Sequence, residues 1–227
     1  IWLHLDAAYG GGLALLPEER SITAGWTEAD SIVVNPHKML FVPFDFSVLY
    51  LRDLERLRRV FTLVPEYLRG DTVKAERNYM DYGVPLGRRF RALKAWMVFR
   101  TFGRSGIAVR IREHLRLARL FGDWVSATAG WELAAPVSMG IVCFRATNAH
   151  AGEVDAFNSE IVESVNRSGR AYLNQTKLRG QTVIRLGLGN VLTMEKHLRN
   201  GWELVQETAS ALGMTEQKAF GAQMQRP

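Results

Sequence analysis

Two short apolar runs, each breaking off on a charged residue, constrain this chain more than any other feature. Leu3-His4-Leu5 leads into Asp6-Ala7-Ala8-Tyr9, and Ser31-Ile32-Val33-Val34 leads into Asn35-Pro36-His37-Lys38. A buried strand that ends on an ionisable group delivers it to the carboxyl edge of a parallel sheet, where open α/β folds take their ligands. A lysine at the end of Ile32, Val33 and Val34 is expected to meet apolar surroundings that disfavour its charged form. Its neutral amine is then a nucleophile that condenses with aldehydes. An aspartate ending the neighbouring strand is placed to hold a partner cation.

The cation that such a carboxylate commonly serves is the pyridinium nitrogen of pyridoxal phosphate. Keeping that nitrogen protonated makes the ring an electron sink, and a shift of about two pKa units corresponds to about 2.7 kcal/mol. Taken alone, Asn35-Pro36-His37-Lys38 equally describes a turn with an exposed lysine. Three motifs in order favour the first reading. Asp6-Ala7-Ala8-Tyr9, then Asn35-Pro36-His37-Lys38 with Lys38 32 positions after Asp6, then Pro85-Leu86-Gly87-Arg88-Arg89-Phe90-Arg91 resemble the group II pyridoxal-phosphate decarboxylases. The resemblance is closest to the aromatic-L-amino-acid decarboxylases and runs over nearly the whole chain.

The resemblance implies an α/β architecture, the C-terminal part of a fold type I pyridoxal-phosphate-dependent transferase. It would comprise a large-domain segment with a mostly parallel sheet and a small α+β C-terminal domain. It implies pyridoxal 5'-phosphate as cofactor, and decarboxylation of an aromatic L-amino acid to the amine and carbon dioxide. Lys38 and Tyr67 are the implied catalytic residues, and Asp6, Ala8, Asn35, His37 and Lys38 the implied cofactor-binding residues. Ala8 would lie against one face of the pyridine ring, where a larger side chain would displace it. His37, in isolation more often a structural histidine, could beside such a lysine donate to a phosphate oxygen or orient a carboxylate. Tyr67 stands 29 positions after Lys38, as in the family's mobile catalytic loop, where the tyrosine reprotonates the substrate carbon. Relatives with phenylalanine at this place tend to be aldehyde synthases, so Tyr67 favours simple decarboxylation. Met39 and Pro43 depart from the Trp and Asn that close relatives often carry, in either substrate contact or packing.

A homodimer with the site at its interface follows from the same resemblance. The family's phosphate cup and ring-stacking residue lie upstream of the Asp motif, so a chain opening on Ile1 is expected to be the C-terminal part of a longer enzyme. Two other readings stay open: another reaction on the same cofactor, either aldehyde synthesis or histidine decarboxylation, and a non-catalytic scaffold. Glutamate decarboxylases differ around the helix expected at 87–102, which favours an aromatic or imidazole substrate, and Gly87 leaves room for a large ring.

At 227 residues, 47% hydrophobic and 23% charged, the chain can bury a sizeable core. Its net charge of +6 comes from arginines at 52–59, 88–91 and 110–119, interleaved with glutamates and apolar residues at helical spacing. That pattern describes solvated helix faces better than a nucleic-acid surface. Cys143 is the lone cysteine, so neither an internal disulfide nor a cysteine metal cluster is expected. The longest uncharged run, 133–144, is too short to span a bilayer, and a reducing cytoplasmic setting is expected.

Along the chain, 1–104 reads as the cofactor-binding segment with a catalytic loop at 63–86, 105–130 as a bridging helix, 131–213 as the small domain and 214–227 as a tail. The pattern predicts a strand at 46–51, a short basic helix started by Asp53, helices at 87–102 and 107–127, strands at 131–133 and 141–145, and a helix at 154–165 ended by Gly169. Strands at 171–174 and 183–188 and a helix that begins after Thr193 and runs to Leu212 complete it. Gly10-Gly11-Gly12 matches no phosphate-binding pattern and reads as a close-packed turn.

Overall fold

The computed structural model describes residues 1–62, 78–149 and 153–213. The chain divides into two compact units, Ile1–Ala108 and Val109–Pro227.

The first unit is built on a three-stranded sheet, β1 (His4–Asp6), β2 (Ser31–Val34) and β3 (Val48–Leu51), in that spatial order. β1 and β2 run parallel with Asp6 opposite Val33, and β3 returns antiparallel with Val48 opposite Val34. The expected mostly parallel sheet is therefore represented among the described residues by one parallel and one antiparallel pair. No crossover helix occupies 35–47, and without one β3 folds straight back. The expected strand at 46–51 begins only at Val48, because Phe46 and Ser47 spend their polar groups on the preceding turn.

Between β1 and β2 lie three short 3-10 helices, Gly10–Leu15, Pro17–Thr23 and Trp26–Glu28. The glycines of the first are a packing device. A Cβ on Gly11 would stand 2.7 and 2.8 Å from the two methyl carbons of Val34, so only glycine lets this segment lie on β2. Helix α1 (Leu54–Phe61) begins where expected, with the Asp53 carboxylate accepting the Glu55 amide as an N-cap.

Helix α2 (Ala92–Ala127) is kinked at Gly103, whose φ of +60° breaks the helical run at the gap between the two expected helices. Its start differs from expectation: 87–91 is not helical, and the Arg91 amide closes a turn on the Arg89 carbonyl at 2.8 Å. A first helical turn holding three arginines would face the positive end of the helix dipole, and beginning at Ala92 avoids it.

The second unit holds an antiparallel sheet in the order β4-β5-β7-β6, from β4 (Trp131–Leu133), β5 (Ile141–Ala146), β6 (Asn174–Leu178) and β7 (Gln181–Gly187), with helices α3 (Val154–Arg167) and α4 (Glu195–Ala211). Val142, Phe144 and Ala146 of β5 point to one face, where they join Phe121 and Val125 of α2, Ile161 and Val165 of α3, and Trp202 and Val205 of α4 in one core. Edge-to-face contacts at 4.9–5.8 Å link Trp202 to Trp131, Phe121 and Phe144, the arrangement that aromatic quadrupoles favour. The expected strand at 171–174 lies instead at Asn174–Leu178. Its residues are mostly exposed on the sheet edge and carry no apolar alternation to read. The turn into β7 is Arg179-Gly180, both at positive φ, the backbone that a two-residue hairpin requires.

Candidate active site

β1 and β2 stop level with one another. Beyond the last regular pairing, the Ala7 amide donates to the Val33 carbonyl at 3.0 Å and the Asn35 amide to the Ala8 carbonyl at 3.1 Å. The ladder therefore runs on until the two chains enter their turns side by side. Side chains alternate along a strand, so the register puts His4, Asp6 and Ala8 on one face with Ser31, Val33 and Asn35. The shared face is visible upstream, where His4 Nδ1 and Ser31 Oγ lie 2.7 Å apart. Leu5, Ala7, Ile32 and Val34 take the opposite face, the one on which Gly11 packs.

Asp6 is exposed and Ala8 half-buried. One carboxylate oxygen of Asp6 accepts the Ala8 amide at 3.0 Å, which orients the group. Lys38 is half-buried in a tight turn where its amide donates to the Asn35 carbonyl at 2.9 Å and the Val42 amide donates to the Pro36 carbonyl at 3.1 Å. Met39 and Val42, each 2% exposed, anchor the turn. The departure at Met39 thus falls in packing.

The residues flanking the lysine are held from 45–47. The Ser47 hydroxyl donates to Asn35 Oδ1 at 2.6 Å, leaving the amide NH2 of Asn35 as a donor. His37 Nδ1 lies 3.0 Å from the Phe46 amide and 2.6 Å from the Phe46 carbonyl, and the His37 amide donates to that carbonyl at 3.4 Å. Nδ1 either accepts from the Phe46 N–H or donates to its carbonyl, according to tautomer. In both cases Nε2 is the ring nitrogen left for a ligand. The Phe44 ring meets the imidazole edge-on at 5.0 Å.

The structure thus brings Asp6, Ala8, Asn35, His37 and Lys38 to one sheet edge. Tyr67 and most of the 63–86 loop lie outside the described residues. Gly87, Arg88 and Arg89 fall in the exposed approach to α2. Sequence reasoning missed Phe46 and Ser47, read only as strand, and the pair Asp45 and Arg91. The break Pro43-Phe44-Asp45 was the available signal that a loop continues to Ser47.

Elsewhere, His114 is 2% exposed and its Nε2 lies 3.1 Å from the Asn190 carbonyl. Burial pushes its pKa down. Burial also pushes the Cys143 thiol up, away from the reactive thiolate. Among the described residues no group of His, Cys, Asp and Glu could hold a metal, and no helix is long and apolar enough to cross a membrane.

The side chains present fit a pyridoxal cofactor: a primary amine for an aldehyde, a carboxylate for a ring nitrogen, a small side chain beside them, and the Asn35 NH2 and His37 Nε2 as polar partners. The model of the pyridoxal-dependent decarboxylase conserved domain matches residues 1–147, and the chain belongs to that family. It is 38% identical to phenylacetaldehyde synthase of Arabidopsis thaliana and 36% identical to tyrosine decarboxylase 1 of Narcissus pseudonarcissus. Each match covers 93% of this chain, and 44% and 43% of the respective relative. The chain superposes on the crystal structure of Oryza sativa TDC with PLP and tryptamine with a TM-score of 0.86, at 36% identity, covering 94% of this chain and 45% of that one. The chain thus spans under half the length of these relatives. Their fold, fold type I, is the α/β fold of this chain.

Proposed function

We propose that this chain carries the lysine side of a pyridoxal phosphate site in a decarboxylase acting on an aromatic L-amino acid. The observation that carries the proposal is the Asn35-to-Ala8 hydrogen bond, which sets the Lys38 turn level with the Asp6 turn. When bound, the cofactor supplies an aldehyde for an amine and a ring that withdraws electrons from the bond to the departing carboxylate.

Lys38 provides the amine that anchors the cofactor and returns to displace the product. Asp6 holds a proton on the ring nitrogen through the charge of its carboxylate, which favours the protonated ring. Ala8 leaves space for the ring. The Asn35 NH2 donates to an anionic oxygen of cofactor or substrate, and His37 presents Nε2 as its polar partner, donating when that nitrogen carries a proton. Tyr67 delivers a proton to the substrate carbon after carbon dioxide leaves, the general-acid role of a phenol. Substrate class is supported by the relatives, named for phenylacetaldehyde and tyrosine. The resemblance further supports a homodimer, 1–104 as the large-domain segment, 105–130 as the bridging helix and 131–213 as the small domain. A single cysteine fits a reducing cytoplasm.

A second reading, aldehyde synthesis, is favoured by the identity to the Arabidopsis thaliana synthase. Product analysis with the full-length polypeptide separates the two. Decarboxylation predicts amine and carbon dioxide in equal amounts without peroxide, and Tyr67→Phe should divert turnover to aldehyde, carbon dioxide, ammonia and peroxide, with dioxygen and water consumed. Aldehyde from the unaltered protein would establish the second reading, and no turnover of any aromatic L-amino acid would overturn both.

A further inference from the structure

We propose that the Asp45–Arg91 ion pair is a positioning device for Lys38's neighbours, fixing the His37 ring and the Asn35 amide through the 45–47 segment. The inference rests on 35–38 being the cofactor-binding turn.

Arg91 presents Nε and a terminal nitrogen to the same oxygen of Asp45, at 3.1 and 3.0 Å. A guanidinium fork engaged through two nitrogens fixes direction as well as distance. Arg91 is itself held, since its amide is spent on Arg89 and it immediately precedes α2, whose Ala95 is buried at 4% exposure. The pair therefore ties the irregular 43–47 segment to the start of a helix. The tied segment, 43–47, forms no helix or strand, and its Phe44 is 84% exposed.

What the pair holds is chemically specific. Asp45 is followed directly by Phe46, whose amide and carbonyl both meet His37 Nδ1, and then by Ser47, whose hydroxyl meets Asn35 Oδ1. Both residues flanking Lys38 thus take their orientation from three consecutive residues clamped at one end by Arg91. In either tautomer the Phe46 main chain engages Nδ1, so the position of residue 46 sets the orientation of the ring and with it the place of Nε2. The Arg91 guanidinium also holds the Asp45 carboxyl below the usual carboxylate range, so the pair survives mild acid. Asp45 and Arg91 touch neither cofactor nor substrate in this account and act only through Phe46 and Ser47.

The test is a double-mutant cycle of Asp45→Asn, Arg91→Gln and the double variant in the full-length polypeptide, with two readouts. One is the pyridoxal phosphate release rate; the other is the His37 ring resonance in the cofactor-free protein, assigned against His37→Gln. Each single variant should speed release about tenfold, and the double variant no more than either single one. The His37 resonance should move toward that of a solvated imidazole while His114 stays in place, and Arg91→Lys should recover part of both effects. An unmoved His37 resonance, or single effects that multiply in the double variant, would overturn the proposal. Failure of the unaltered protein to take up pyridoxal phosphate would instead sink the reading of the site, and the His37 resonance would still decide the role of the pair.

Discussion

The Asn35 amide donates to the Ala8 carbonyl at 3.1 Å, two residues past the last regular pairing of β1 with β2, Asp6 opposite Val33. That bond sets the two motifs level with one another. It is why an aspartate and a lysine 32 positions apart in sequence leave the sheet at the same edge, and why Asp6, Ala8 and Asn35 share a face. Parallel strands make this possible, because both chains present their carboxyl ends to the same side.

The close approach of Gly11 to Val34 supports this edge from behind. Gly11→Ala would force a Cβ to within 2.8 Å of both Val34 methyls, an overpacking that costs about 1–3 kcal/mol. Urea unfolding should show a lower midpoint at unchanged slope. Adding Val34→Ala to Gly11→Ala should recover part of the loss, whereas Val34→Ala alone should destabilise.

In the second unit, Asn158 closes the end of β5. Its fully buried amide accepts from the Ala146 N–H at 2.9 Å and donates to the Ala146 and Val154 carbonyls at 3.0 and 2.8 Å. Asn158→Leu keeps the branched shape and strands the Ala146 N–H and carbonyl without their side-chain partners, each at a cost of about 1–3 kcal/mol. A fall of about 2–4 kcal/mol in unfolding free energy is expected, with the circular dichroism of the folded state unchanged.

His114 makes stability fall in acid. Burial lowers its pKa in the folded state, overcoming the opposing effects of the Asn190 carbonyl and Glu113. The unfolded chain therefore takes up a proton first, near pH 6.5, and the folded state binds fewer protons than the unfolded one below that pH. Stability contributed by neutral His114 is full above about pH 6.5 and is lost as pH falls toward the lowered folded-state value, with a slope of at most about 1.4 kcal/mol per pH unit. His114→Gln should flatten that slope in urea titrations between pH 5 and 7.

The strand ends and the amphipathic helices were legible because each writes its period or its terminus directly into the residues. Ile32-Val33-Val34 before Asn35, Asp53 before a basic helix and Gly169 after α3 are local signals with local causes. The misplaced pieces lack such signals. β6 is a polar edge strand, recognisable only through the positive-φ turn at Arg179-Gly180 that pairs it with β7. The late start of α2 depends on where Arg91 sends its side chain, 46 residues back to Asp45, and no window along the chain contains both. The candidate site shows the same division: the motifs mark Asp6, Ala8, Asn35, His37 and Lys38 as candidates, whereas the contacts of Phe46 and Ser47 with His37 and Asn35 join residues 9 and 12 positions apart and depend on how the 43–47 loop folds back.

The most direct test of the account is borohydride reduction of the full-length polypeptide after incubation with pyridoxal phosphate, followed by peptide mass mapping. The account predicts a single modified lysine, Lys38, with Lys94, Lys177 and Lys196 unlabelled and Lys38→Ala unmodified. Label on another lysine, or label scattered across the surface at the same level in Lys38→Ala, would contradict it.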